Sequence, residues 1–201
     1  MLNIAPTKSN LLKTKSSLIF AKKSYELLDK KRNILIKELM ANVDKARNIQ
    51  KNVNEIFSSA YAALERANIA IGISRVEDIA VTIPEADSYS VVYHSVMGVE
   101  IPRVHFERED IKTRYSFYSS DISMDIVHKK FNEVKHILYD MAEIENTIFK
   151  LAMEIKKTQK RANALKNIQI PKFSSLIKNI SDILEEKDRE EFFRLKVLKN
   201  K

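Results

Sequence analysis

Four histidines are the first candidates for metal chemistry, but their spacing does not suit a shared ion. His128 and His136 stand eight positions apart on a predicted helix, whereas paired ligands on one helical face typically stand at i and i+4. His94 and His105 would be cross-strand neighbours if their segment forms a hairpin. The sequence has no cysteine, which excludes disulfides and thiolate metal sites. We therefore predict no metal site.

The acidic pairs do not predict a catalytic site either. Glu143 with Glu145, and Glu185 with Glu186, fall on predicted solvated helix faces. Paired carboxylates that transfer protons need a pocket, and nothing in the sequence indicates one here. With only two glycines, the chain also lacks the glycine-rich loops that bind nucleotide phosphates. We predict a chain with no catalytic residues and no cofactor.

Composition favours long helices and a protein partner. The 201 residues include two glycines and four prolines, where average usage would give roughly 14 and 10. The net charge is +8, but basic residues are interleaved with acidic ones and no known nucleic-acid-binding motif is present. We therefore expect an acidic protein partner and no nucleic acid. No apolar run approaches the roughly 20 residues of a spanning helix, so we expect no membrane insertion. The absence of cysteine fits a cytoplasmic protein.

A seven-residue repeat of apolar side chains predicts one long helix in residues 1–72. Counted from Leu11, every a and d position is apolar except Thr14, Arg32 and Asn42. The pattern predicts a left-handed supercoil from about Lys8 to about Ile71, roughly 95 Å long. Polar residues in such a seam usually set register and orientation, although a contact role for Arg32 is an equal alternative.

The same repeat returns in residues 121–201. The a and d positions from Val127 to Leu165 are apolar except Lys130 and Thr158. Two such helices in one chain predict an antiparallel hairpin, while a parallel coiled coil between two chains is the alternative.

The ends of this second helix are predicted from capping residues. Asp121 is a good N-cap, and the first helical stretch should reach about Ile168. Pro171 lacks a backbone donor, so we expect a break near it before helix continues to about Leu198.

The segment 73–120 differs from both helices and predicts a small β-hairpin. Gly72, Pro84 and Pro102 interrupt helical patterns, and β-branched and aromatic residues surround Met97-Gly98. We predict two short strands with their turn at these two residues. The fold class is therefore all-α dominated, a long antiparallel two-helix coiled coil with a small β-hairpin in the middle segment.

Four stretches together resemble the D subunits of V-type and archaeal-type rotary ATPases. In chain order they are PTKSNLLKTKSSLIFAKKSYELLDKKRNIL, VMGVEIP, QKRANALKNIQIP and DREEFFRLKVLK. The resemblance implies a central rotor shaft inside a ring of A and B subunits, with the small F protein of the stalk and a socket protein, C or d, as further partners. It implies coupling of ATP hydrolysis or synthesis to proton or sodium transport, in a cytoplasmic sector peripheral to the membrane. The short form resembles bacterial members.

The resemblance also implies two contact sets. We expect the stretch from Gln159 to Pro171 to present polar groups outward while Ala162, Leu165 and Ile168 face the first helix, on a mostly polar outer surface. Those polar groups are alternatively only solvated surface. The expected ring contacts are Lys30, Lys31, Arg32, Gln159, Arg161, Asn163, Phe192 and Phe193. The expected contacts with the F protein or the socket protein are Ala60, Ala63, Ala67, Val96, Met97 and Val99.

Two other functions remain open from the residues. A chaperone-like or tethering coiled coil of the prefoldin type also places β-hairpins between helices. A nucleic-acid-binding coiled coil would show steep salt dependence.

Overall fold

The computed structural model describes residues 5–83, 89–106, 115, 116, 118 and 120–199, so Pro84 of the middle segment lies outside the described residues, as do residues 85–88, 107–114, 117 and 119. Within these ranges, no helix is both long and apolar enough to cross a membrane. The elements in chain order are α1 Lys8–Ile71, α2 Ile73–Thr82, β1 Tyr89–Val96, β2 Val99–Phe106, α3 Ile122–Ala164, a π-helical turn Leu165–Gln169 and α4 Ile170–Lys199.

The chain divides into two compact units. The first combines Met1–Ile34 with Ile155–Lys201, and the second is Leu35–Glu154. In the first unit, residues of increasing number on α1 meet residues of decreasing number on α3 and α4. The pairs are Lys8 with Asp188, Tyr25 with Lys166, and Arg32 with Gln159. The predicted antiparallel arrangement is therefore confirmed within this unit.

In the second unit, α1 and α3 also pair in antiparallel order. The Tyr61 and Phe131 rings meet edge to face with centroids 6.0 Å apart. One open groove is lined by Lys45, Asn48 and Ile49 of α1 and by Asp140, Glu143 and Ile144 of α3. Both contacts follow the antiparallel order, so the alternative of a parallel coiled coil between two chains is not needed to bury these seams.

The heptad positions of α1 form its buried seam. All a and d positions from Leu11 to Ala67 are buried or half-buried, and only Ala70 is exposed. Asn42, a polar seam residue, donates from Nδ2 to the Glu38 carbonyl at 2.9 Å. That bond stays within α1 and does not itself join the two helices, so the expected role of Asn42 in register stays a prediction.

The π-helical turn shifts the seam by one residue. Before it, buried and half-buried seam positions include Ala162 and Leu165; after it they include Ile170, Phe173 and Ile177. A continuous heptad repeat would place these later positions one residue earlier. The turn, in which the Ile170 N–H donates to the Leu165 carbonyl, absorbs this extra residue.

This turn also explains how helix continues through Pro171. A proline within an α-helix lacks one donor and crowds the carbonyl four residues earlier. The wider turn immediately before it relieves that crowding, so α4 begins at Ile170 and includes Pro171. The expected interruption is thus a π-helical turn within a helical path. Ile168 leaves the seam and is exposed, contrary to its predicted inward position.

The predicted hairpin is present in the middle segment. Met97 and Gly98 have φ of 52° and 79°, which is typical of a type I′ turn. The strands pair Val96 with Val99 beside the turn. His94 lies opposite Ile101 and His105 opposite Ser90, so the expected histidine pair is wrong. Strand register separates the two side chains.

The hairpin packs against α3 through aromatic rings. Phe106 stacks on His136 at 5.0 Å between centroids and lies 5.2 Å from the Tyr139 ring. Lys150 Nζ lies 4.7 Å from the Tyr93 ring centre. The Val104 N–H donates to Glu143 Oε2 at 2.7 Å. These contacts supply the packing that an isolated two-stranded hairpin lacks.

Small residues of α1 admit further elements into the core of the second unit. Ala63 and Ala67 pack in a buried cluster with Val76 and Ile79 of α2. Because alanine side chains end at Cβ, α2 can fold close to α1. Tyr115 fills the same cluster.

Tyr115 is fixed to α3 by a short hydrogen bond. Its hydroxyl donates to Asp125 Oδ1 at 2.5 Å. Burial raises the pKa of Tyr115 well above its usual range, and the bond and the negative charge of Asp125 raise it further. The hydroxyl therefore stays protonated at pH values at which an ordinary tyrosine ionises.

Candidate interaction surfaces

Arg32 forms a polar link between α1 and α3 in the first unit. Its Nη1 donates to Gln159 Oε1 at 2.8 Å, and its Nη2 lies 2.7 Å from Asp29 Oδ1. Gln159 in turn donates from Nε2 to Asn163 Oδ1 at 2.8 Å. The four residues form what we call the Arg32 link.

This geometry favours a role in register over a free contact for Arg32. Its side chain is 25% exposed, and Nη2 also donates to Asn33 Oδ1 at 3.2 Å. Gln159 is half-buried, which departs from its predicted outward position. An arginine that bonds across two helices holds them at one relative height.

The other predicted polar contacts differ in exposure. Lys30, Arg161 and Asn163 are exposed, whereas Lys31 is half-buried. Lys30 and Arg161 are therefore the cations of this set that a partner can reach most readily.

An apolar stripe on α1 was missed by the sequence reasoning, which expected a mostly polar outer surface. Leu12, Ile19, Phe20 and Leu27 are each more than half exposed, and Phe20 reaches 74%. They occupy b and c positions of the heptad count, which lie on the outward side of the helix. Large apolar residues at these positions could have predicted the exposed apolar surface. We call these four residues the α1 stripe.

The end of α4 is also apolar and open. Phe192 and Phe193 are exposed, with ring centroids 6.5 Å apart in an edge-to-face arrangement. They line an open groove with Glu185, Asp188 and Arg189. Acidic, basic and aromatic groups thus face solvent together at this end of the helix.

Of the residues predicted to meet the F protein or the socket protein, only Met97 is exposed. Ala60, Ala63 and Ala67 are covered by this chain's own residues, at 1%, 8% and 0% exposure. At the hairpin, Val99 is buried and Met97 is 49% exposed. In the folded chain, a partner can therefore contact the hairpin turn directly but cannot reach the alanine side chains.

In the part of the chain that the structure describes, no group of three or more His, Cys, Asp or Glu side chains is arranged to hold a metal ion. Glu143, which the sequence placed among solvated acids, instead accepts the Val104 N–H. Its role here is to hold β2 against α3.

Comparisons with known proteins agree over the whole chain. The family model for the D subunits of ATP synthases matches residues 10–200. The V-type ATP synthase D chain of Thermotoga neapolitana is 40% identical over 200 residues, covering 100% of this chain and 98% of that protein. The A-type ATP synthase D chains of Thermococcus kodakarensis and Pyrococcus furiosus are 36% and 33% identical over 202 residues, covering 99% of this chain and 94% of each relative. With matches of this extent, the chain belongs to the family of ATP synthase D subunits.

Proposed function

We propose that the chain is the central rotor shaft of a V-type rotary ATPase. It couples ATP hydrolysis or synthesis in a ring of A and B subunits to proton or sodium transport across the membrane. The names of the relatives, which are D subunits of V-type and A-type ATP synthases, support the assignment to this assembly. In this proposal the shaft supplies no catalytic group and works in a cytoplasmic sector peripheral to the membrane, in a bacterium.

The α1 stripe is the observation that carries the proposal. Contiguous apolar surface on a soluble protein usually marks an interaction site, and Leu12, Ile19, Phe20 and Leu27 repeat along the outward side of one helix. A ring that encloses the helix would cover all four. Apolar burial is non-directional, so these contacts need not hold the shaft at one angle.

Exposed cations supply a second type of ring contact. Lys30 and Arg161 are exposed in the first unit, and they could face acidic groups of successive ring subunits as the shaft turns. Arg32 is a poorer probe of this idea, because its loss would also break the Arg32 link. Neutralising Lys30 and Arg161 should weaken coupled pumping, whereas unchanged pumping would contradict this contact.

The second unit is the proposed site for the F protein and the socket protein. Met97 presents its side chain at the hairpin turn, beside the half-buried Val96. Ala60, Ala63 and Ala67 are themselves buried, and Ala63 and Ala67 let α2 approach α1 closely. We therefore expect partner affinity to depend directly on Met97 and only indirectly on the alanines.

Co-expression with the A, B, F and socket proteins of the same genome tests the proposal. We expect one copy of the chain per ring and a changed ATPase rate. Phe20→Ser should weaken ring binding about tenfold, because it removes most of the aromatic surface that the ring would bury. Lys22→Arg, which keeps the charge of an exposed position on the same helix, is the control and should bind like the wild type. A self-contained homodimer that ignores the ring would overturn the shaft function.

A chaperone-like or tethering coiled coil is the second candidate. The exposed Phe192 and Phe193 favour it, since client-binding tips present apolar side chains. Stable one-to-one assembly with the F protein would speak against it, because a client-binding chaperone needs no such partner.

A further inference from the structure

The two edges of the β-hairpin are built differently. In a hairpin with a two-residue turn, the residues flanking the turn form a hydrogen-bonded pair, here Val96 with Val99. Alternate residues then direct their backbone N–H and carbonyl groups away from the partner strand. On β1 these outward residues are Tyr89, Val91, Tyr93 and Ser95, and on β2 they are Glu100, Pro102, Val104 and Phe106.

The outer edge of β2 is closed at its centre. Pro102 has no backbone N–H, and it stands at an outward position where none is needed within the hairpin. The next outward N–H, that of Val104, is taken by Glu143 Oε2 at 2.7 Å. Proline and coverage by a neighbouring element are two of the ways in which natural proteins protect a strand edge.

The outer edge of β1 has none of these protections. The strand reads YSVVYHSV, with no proline, lysine or acidic residue, and seven of its eight residues are exposed. Among the residues that the structure describes, the sheet has two strands, and no hydrogen bond joins the outward N–H groups of β1 to another residue. An open edge of β-branched and aromatic residues is a template for pairing with another chain.

We propose that β1 accepts a β-strand from a different, acidic protein, so that the hairpin becomes a three-stranded sheet. Backbone hydrogen bonds from Tyr89, Val91, Tyr93 and Ser95 would form the new ladder. The inference rests on the edge geometry and on the charge of the hairpin, and it does not depend on the rotary function.

The charge of the hairpin favours an acidic partner over a second copy. Its outer face presents Ser90, Val92 and His94 from β1 beside Arg103 and His105 from β2, all exposed. This face carries the positive charge of Arg103 and no carboxylate. A second copy would bring a like-charged face alongside it, in a chain of net charge +8. A strand with carboxylates at the facing positions would complement it.

Hydrogen exchange tests the proposal when it is measured on the full chain alone and on the complex in which the chain is isolated from cells. We expect the outward amides of Tyr89, Val91, Tyr93 and Ser95 to exchange at least about tenfold more slowly in the complex. The inward amides of Val92 and His94, already bonded within the hairpin, should change little. Unchanged exchange at the outward amides would overturn the inference. Protection that grows with the concentration of the chain alone would also overturn it, since the occupant would be a second copy.

Two matched pairs of variants test the ladder and the charge separately. Val91→Pro removes an outward N–H, as Pro102 does on β2, and should lower incorporation into the complex at least about fivefold in competition with the wild type. Val91→Ala keeps that N–H and should compete nearly equally. His94→Glu should compete poorly and His94→Lys well, with the hairpin backbone unchanged in both. Equal competition by both Val91→Pro and His94→Glu would refute strand addition by an acidic partner.

If the amides of Val92 and His94 also lose their protection from exchange in Val91→Pro, the hairpin of that variant has opened. The comparison of His94→Glu with His94→Lys then tests the proposal. These results stand apart from the shaft function, because a chain can fail to join an ATPase ring and still gain a strand in another complex.

Discussion

The Arg32 link makes a quantitative prediction about the first unit. Gln159→Leu removes the acceptor of the 2.8 Å bond and leaves Arg32 Nη1 without its cross-helix partner. Hydrogen bonds to charged groups contribute about 1.5 to 3 kcal/mol, and partial exposure of Arg32 places this one near the lower end. We therefore expect Gln159→Leu to lower the free energy of unfolding by about 1.5 kcal/mol.

The double variant separates the bond from the individual side chains. Arg32→Leu should cost about 2 kcal/mol, because it also removes the Asp29 ion pair on the same helix. The Arg32→Leu/Gln159→Leu variant should lose about 1 kcal/mol less than the sum of the single losses, since no unpaired donor remains.

Urea unfolding of the full chain, followed by circular dichroism, measures this cycle. Arg47→Leu is the control: its partner Asp44 lies 3.9 Å away and both side chains are about three-quarters exposed. That variant should change the free energy of unfolding by less than about 0.5 kcal/mol. A coupling below about 0.3 kcal/mol between Arg32 and Gln159 would refute the register role and leave the pair as solvated surface.

Three further predictions concern the turns and the second unit. Met97→Asn should slow exchange of the hairpin amides severalfold, because asparagine tolerates the positive φ of 52° better than methionine does. Deleting Asn167 together with Pro171→Ala should leave the helical content and the unfolding midpoint nearly unchanged, because the seam residues before and after the π-helical turn then share one heptad phase. As the control, deleting Asn179 together with Pro171→Ala should lower the unfolding midpoint strongly. The raised pKa of Tyr115 means that its contribution to stability is present below pH 10.0, the ordinary value, and is lost as pH rises toward its folded pKa. Between pH 10 and 11 the free energy of unfolding should therefore fall more steeply, by up to about 1.4 kcal/mol per pH unit, in the wild type than in Tyr115→Phe.

Periodicity made the helices predictable. The repeat from Leu11 to Ala67 is local information, and α1 has the bounds Lys8 and Ile71 that the sequence indicated. The Met97-Gly98 turn was predictable for the same reason, since the two residues and their β-branched neighbours are adjacent in the chain. The one-residue change of phase between Leu165 and Ile170 was also visible in the sequence, but a proline nearby made a break the simpler interpretation.

Contacts between residues far apart in the chain were harder to predict from the sequence. The sequence indicated two strands, but residue spacing alone did not place His94 opposite Ile101 and His105 opposite Ser90. Glu143 shows no local sign that it accepts a strand N–H from a residue 39 positions away. Gln159 fell outside the seam by heptad count, yet its long side chain reaches Arg32. In each case the deciding contact joins segments whose relative placement is set by packing, not by neighbouring residues.

The first unit combines directional bonds inside with non-directional surface outside. The Arg32 link fixes α1 and α3 to each other, since each hydrogen bond requires one alignment of donor and acceptor. The α1 stripe has no such requirement, because apolar surface is satisfied by any apolar neighbour. A shaft that turns within a ring needs both properties: its helices must not slide past each other under torque, and its outer contacts must be exchangeable between the proteins of the ring. Replacing the α1 stripe by glutamine would leave the link intact while removing the exchangeable contact. The proposed function therefore predicts loss of ring binding without loss of the helical pairing.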